Sequence, residues 1–199
     1  MSALRALITA TVVTLIGSVM PVSAQTPAHD WSEGTSVSLF GGLSVDGNAG
    51  GGLLGGGAGW TITPLFGLEG RVGWSEDVSE TDAFAASLTA RFSPRKPRTS
   101  VPFVRAGVGL YRASFDTHAD IPEFYRRRLS AGDVEVNHRK SMIDPSLVAG
   151  AGVDLWVSRH LVLRPEFEVA TVLSDGRGYL VTNVTFHVIY NFESRHVTP

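Results

Sequence analysis

From Thr35 onward, apolar side chains recur at every second position in short stretches, and each stretch ends at a break rich in Gly, Pro, Asp or Ser. Thr35–Leu43 carries Val37, Leu39 and Leu43 in phase, and Leu54–Thr63 carries Leu54, Ala58, Trp60 and Ile62. Phe66–Trp74 sets Phe66, Leu68, Val72 and Trp74 against Glu69 and Arg71, and Phe84–Phe92 sets Phe84, Ala86, Leu88, Ala90 and Phe92 against Ser87, Thr89 and Arg91. Phe103–Arg112, Ser146–Val157 and Leu161–Leu173 repeat the pattern, with Arg105, Asp154, Arg164, Glu166 and Glu168 on the polar parity. The last stretch, Tyr179–Phe192, has Leu180, Val184, Phe186, Val188, Tyr190 and Phe192 on one side, with Thr182 its only polar member, and Val181, Asn183, Thr185, His187, Ile189 and Asn191 on the other, mostly polar one. A period of two means strands with one apolar and one polar face, so the pattern predicts eight antiparallel strands. The final stretch is long for a soluble strand, whose usual length is ~5–6 residues, and ample for a tilted membrane-crossing one, which needs ~9–11.

The breaks sort into two sets. After odd-numbered strands lie Val45–Gly52, Ser75–Ala83, Ala113–Pro145 and Ser174–Gly178; after even-numbered ones lie the turn at Pro64, Ser93–Val101 and Ser158–His160. Longer loops are thus expected on one rim and shorter turns on the other, as in membrane barrels. Alternation alone permits the reverse sidedness, a soluble lipocalin- or avidin-like barrel with the apolar face inside. Three features favour apolar side chains facing lipid. The polar face is mostly Gly, Ser, Thr and Ala. Its charges balance, with Glu69, Asp154, Glu166 and Glu168 against Arg71, Arg91, Arg105 and Arg164, as a closed lumen requires. The aromatics of the apolar face sort by height, with Trp60, Phe66, Phe92, Tyr190 and Phe192 at the turn end and Trp74 and Phe84 at the loop end, which describes two interfacial girdles. Arg112 alone breaks the phase. It sits at the loop end of its strand, where it can meet a lipopolysaccharide phosphate or snorkel to water.

Composition narrows the class. With no cysteine there is neither a disulfide nor a thiolate metal site, and a net charge of -2 gives no reason to expect nucleic acid. Residues 1–24 read as a signal peptide, with Arg5, the apolar run Ala6–Met20 and a Val22-Ser23-Ala24 cleavage site. Removing Arg5 with the leader leaves 16 basic against 19 acidic side chains, a net charge of -3. Residues 25–34 are expected to be a disordered lead-in, and 193–199 a short periplasmic tail.

The signal peptide, the strand count, the Leu163-Arg164-Pro165-Glu166-Phe167 run and the aromatic-ended last strand resemble the small eight-stranded bacterial outer-membrane barrels, the OmpA-like transmembrane domain and its OmpX/Ail relatives. The resemblance covers residues 35–192. It implies an all-β, antiparallel up-and-down transmembrane barrel, monomeric, inserted by the barrel-assembly machinery and in contact with outer-membrane lipid and lipopolysaccharide. Two departures stand out: seven residues follow Phe192, where the family usually stops at the aromatic, and Ser93–Val101 is a long, basic turn.

The lumen charges read either as an ion gate or as a salt-bridged plug. Eight strands leave an interior just wide enough for side chains, and Phe103, Tyr111 and Trp156 share it, which favours the plug. Glu166 and Glu168 suggest acid–base work only until four arginines are placed beside them. A lipid-modifying enzyme would need a Ser–His pair open to lipid, whereas His187 points inward and Ser158 with His160 is a generic turn. No catalytic, cofactor or metal site is expected; His118 and His138 lack ligand spacing. The Ala113–Pro145 loop is the place for recognition, with Phe124, Tyr125, Arg126, Arg127, Arg128, Arg139 and Lys140 as a possible surface-binding patch, offset by six acids. The expected role is structural or surface-interacting, through adhesion or envelope integrity. The alternative is a narrow OmpW-like channel for small solutes.

Overall fold

The computed structural model describes residues 34–46, 49–63, 65–94, 99–116, 139–158, 160–174 and 177–192, apart from 78–80. Eight strands close into one barrel: β1 (Gly34–Asp46), β2 (Ala49–Thr63), β3 (Phe66–Asp77), β4 (Thr81–Phe92), β5 (Ser100–Asp116), β6 (Arg139–Trp156), β7 (Leu161–Ser174) and β8 (Arg177–Phe192). Every neighbouring pair is antiparallel, and β8 closes on β1 with Phe192 opposite Thr35 and Val181 opposite Asp46. Closure removes the sheet edge, so the backbone donors and acceptors of every strand find partners within the wall.

The sidedness follows the sequence pattern. Leu39, Leu43, Leu54, Leu88, Val108, Ile143 and Leu147 are all more than half exposed, whereas Phe103, Arg105, Arg164 and His187 on the opposite parity are almost fully buried. A continuous apolar belt of this kind belongs in contact with hydrocarbon rather than water.

The strands run further than the alternation suggests. Val45–Gly52, expected as a glycine-rich loop, is instead the top of a hairpin whose ladder continues to Asp46 opposite Ala49. Ser75–Ala83 and Ser174–Gly178 shorten in the same way, and β5 begins at Ser100 within the expected Ser93–Val101 turn. The largest correction concerns Ala113–Pro145. β5 extends to Asp116 and β6 starts at Arg139, with these two residues opposite each other. Arg139 and Lys140 therefore belong to a strand rather than to a loop, and Met142 and Asp144 are buried in the barrel. Beyond the apolar belt the outward positions turn polar, so apolar alternation fades while the hydrogen-bonded ladder continues. Loop asymmetry consequently rests on one connection, residues 117–138; the other three on that rim are residues 47–48, 78–80 and 175–176.

Glycines on the inner wall make room for large side chains opposite. A Cβ on Gly152 would lie 2.8 Å from Phe103 Cζ, and one on Gly55 would overlap the Phe40 ring. Gly150 leaves space for Arg105, and Gly57 for Arg71. Outward-facing Gly70, by contrast, has no neighbour within 4 Å of a built Cβ. Gly152→Ala should therefore destabilise the barrel by about 1–3 kcal/mol through overpacking, read as a lower urea midpoint of heat-modifiable gel migration. Gly70→Ala should leave the midpoint unchanged.

Candidate functional site

The interior is layered. Nearest the turn rim lie Val101, Phe103, Val162 and Ile189, all buried. Toward the loop rim Ala83, Tyr111, Ala113, Met142, Val148, Ala170, Val172 and Val181 pack into one apolar cluster. Between them sits the charged layer. β7 shows the sequence logic most clearly: its inward positions read Val162, Arg164, Glu166, Glu168, Ala170, Val172, opposite Ile189, His187, Thr185, Asn183, Val181 and Tyr179 of β8.

All eight interior charges singled out from sequence meet in this layer. They form one unbranched, alternating string in the order Glu168, Arg105, Glu166, Arg71, Glu69, Arg164, Asp154, Arg91. Arg105 bonds Glu168 and places Nε 2.6 Å from Glu166 Oε1. Arg71 grips Glu166 with two bonds, of 2.6 and 2.9 Å, and reaches Glu69 at 2.7 Å. Arg164 joins Glu69 at 2.8 Å to Asp154 at 2.5 Å, and Arg91 meets the other Asp154 oxygen at 2.6 Å. The string crosses β3, β4, β5, β6 and β7, tying side chains of opposite walls across the lumen.

Neutral groups complete it. Asn183 Nδ2 donates to Glu168 (2.8 Å), Arg105 donates to Thr89 Oγ1 (3.2 Å), and Arg91 donates to Ser93 Oγ (3.0 Å). The Phe103 ring lies under two guanidiniums, with Arg164 Cζ 4.5 Å and Arg91 Cζ 5.3 Å from its centroid. An aromatic face stabilises a desolvated cation, so Phe103 caps the string on its turn side.

His187 and Phe40 also belong to this layer, and sequence reasoning gave neither a role. His187 is fully buried, with Nε2 2.9 Å from Thr185 Oγ1 and 3.7 Å from Glu166, and its ring stands 4.7 Å from that of Phe40. Phe40 shares the inward parity of β1 with serines and a glycine, so its neighbours in sequence gave no sign of a packing role; the sign lay in Gly55 and Gly73 on the facing strands. His187 is sealed from lipid and pairs with no serine.

The remaining candidates are placed as follows. Trp74 and Phe84 are cross-strand partners, as are Phe66 and Phe92, and all four face outward. Trp60, Tyr190 and Phe192 also face outward; Tyr190 stacks on His160 at 5.5 Å and meets Phe192 edge-on at 5.2 Å. Phe124, Tyr125, Arg126, Arg127 and Arg128 lie outside the described residues. Among the described residues no group of three or more His, Cys, Asp or Glu could hold a metal ion.

Chemically, the arrangement is a chain of compensated buried charges that braces the walls. An uncompensated buried charge costs about 3–5 kcal/mol. Glu166→Gln, which strips compensation from both Arg71 and Arg105, should therefore lower unfolding free energy by about that amount, and Arg164→Ala by a similar amount. Urea titration of the refolded barrel in detergent or vesicles checks both; unaltered midpoints would show that the string carries no stability.

Comparison with known proteins agrees with this geometry. A family model described as outer membrane protein beta-barrel domain matches residues 9–192. The N-terminal β-barrel domain of Pseudomonas aeruginosa OprF is similar in fold, with 17% identity and a TM-score of 0.56, over 81% of this chain and 98% of that one. Neisserial surface protein A is similar with 12% identity and a TM-score of 0.60, over 80% and 97% of the two chains. Ail, the attachment invasion locus protein of Yersinia pestis, has 17% identity and a TM-score of 0.50, over 81% and 99%. No curated protein matches.

Proposed function

The chain belongs to the outer membrane protein β-barrel domain family, and from that premise we propose that it serves the bacterial outer membrane as a sealed barrel with a structural or surface-interaction role rather than as a pore. The observation that carries this reading is the unbroken string from Glu168 to Arg91. It occupies the middle of the lumen with paired charges, and apolar side chains pack on both sides of it. Adhesion or envelope integrity then falls to the longest connection between the described strands, residues 117–138, with its Phe124, Tyr125 and Arg126–Arg128 sequence patch. Export through a cleaved leader and insertion by the barrel-assembly machinery follow from the same reading. The same reading gives His187 a structural role, beside Thr185 and Glu166 in the barrel interior.

A narrow channel is the second reading. Support for it comes from the polar groups buried on the loop side of the string, Ser44, Asp144 and Ser146. Planar-bilayer recording separates the two. The sealed barrel gives no steady unitary openings in the wild type, whereas regular openings would establish the channel.

A further inference from the structure

The four interior arginines are held in ion pairs, but Arg112 faces the other way. It is exposed on the outward parity of β5, and its described partner is a hydroxyl: Nε donates to Ser141 Oγ at 2.9 Å. Around it is a pocket of about 390 Å³ lined by Trp74, Asp82, Phe84, Ser114 and Ser141. The pocket lies at a chemical boundary. In register beside Arg112 are Phe84 and Ile143, and beyond Phe84 is Trp74. One outward position toward the turn rim, the residues are Leu110, Ala86, Val72 and Pro145; one position toward the loop rim, they are Ser114, Asp82, Glu76 and Ser141. Apolar wall thus ends and polar wall begins at Arg112.

That is where the headgroup of an outer-leaflet lipid meets its acyl chains. A guanidinium matches phosphate with several charge-assisted donors, Ser114 and Ser141 supply hydroxyls, and Trp74 and Phe84 offer flat contact to the adjoining sugar or acyl stem. We propose that this pocket seats a phosphate of the phosphorylated glycolipid of the outer leaflet, with Arg112 as the anchoring cation. Asp82 is the one carboxylate in the pocket, and it sets a limit: the seated group carries its charge at Arg112 rather than at the upper edge. The site is independent of whether the lumen conducts.

The test is native mass spectrometry of the purified full-length barrel in detergent, with bis-phosphorylated lipid A and fully dephosphorylated lipid A as probes. The wild type should retain the phosphorylated form about tenfold better, the scale of one or two charge-assisted hydrogen bonds. Arg112→Ala should abolish that preference, Arg112→Lys should keep part of it, and excess inorganic phosphate should not displace the lipid. Heat-modifiable migration confirms that each variant is folded; if Arg112→Ala is not, Ser141→Ala, which removes the hydroxyl that orients the guanidinium and lines the pocket, should weaken the preference instead. Equal retention of both probes by the wild type, a preference that survives in Arg112→Ala, or full displacement by inorganic phosphate would overturn the assignment.

Discussion

Four arginines inside a cylinder only eight strands around have no room for the hydration a free guanidinium needs, so each must find carboxylates within the wall. The barrel meets that demand by sharing. Arg105, Arg71 and Arg164 each bridge two acids, and Glu166, Glu69 and Asp154 each bridge two arginines, leaving Glu168 and Arg91 as the ends. Asn183 and Ser93 finish those ends with neutral hydrogen bonds. Because the links alternate in sign and cross the lumen, removing any inner member disturbs two neighbours at once. That is why the string behaves as one structural element.

The rest of the interior is arranged around this layer. Gly150 and Gly57 stand where Arg105 and Arg71 need space, and Gly152 admits the Phe103 ring that underlies Arg164 and Arg91. Apolar side chains pack on both sides of this layer and most of its members are buried, so the mutual attraction of the ion pairs is strong and screening by salt is weak. The outer surface answers to a different solvent. It presents one apolar belt with aromatic positions toward both rims, and Arg112 lies at the belt's margin on the loop side.

Much of this was legible in the alternation. The strand count, the outward set and the eight inward charges follow from parity, because a pleated strand turns sequence position directly into side of the wall, whereas the closure of β8 on β1 was implied by the family resemblance. Parity does not give partners. That Arg164 reaches back to Glu69 on β3 while Arg105 reaches Glu166 and Glu168 depends on barrel stagger and side-chain length, neither of which is written locally. Strand ends were misjudged for a related reason. Near the loop rim the outward side chains are polar, and residues such as Gly50, Gly51 and Gly52 show no alternation, although their backbone continues the ladder. The apolar cluster around Tyr111 and Met142 escaped notice because three of its eight buried members, Ala83, Ala113 and Met142, come from residues assigned to loops. Phe40 escaped because packing against glycine leaves no hydrophobic period to read, and His187, read as inward, gave no sign of its partners Thr185 and Phe40.

The central claim is that the interior charges form one coupled unit. A double-mutant cycle on Asp154 and Arg164, using Asp154→Asn, Arg164→Gln and the pair, measures it directly through unfolding free energies in detergent. Contact within a shared network predicts that the double variant loses less than the two single losses combined, by about 0.5–3 kcal/mol. Losses that add to within about 0.3–0.5 kcal/mol would show two independent residues and contradict the account.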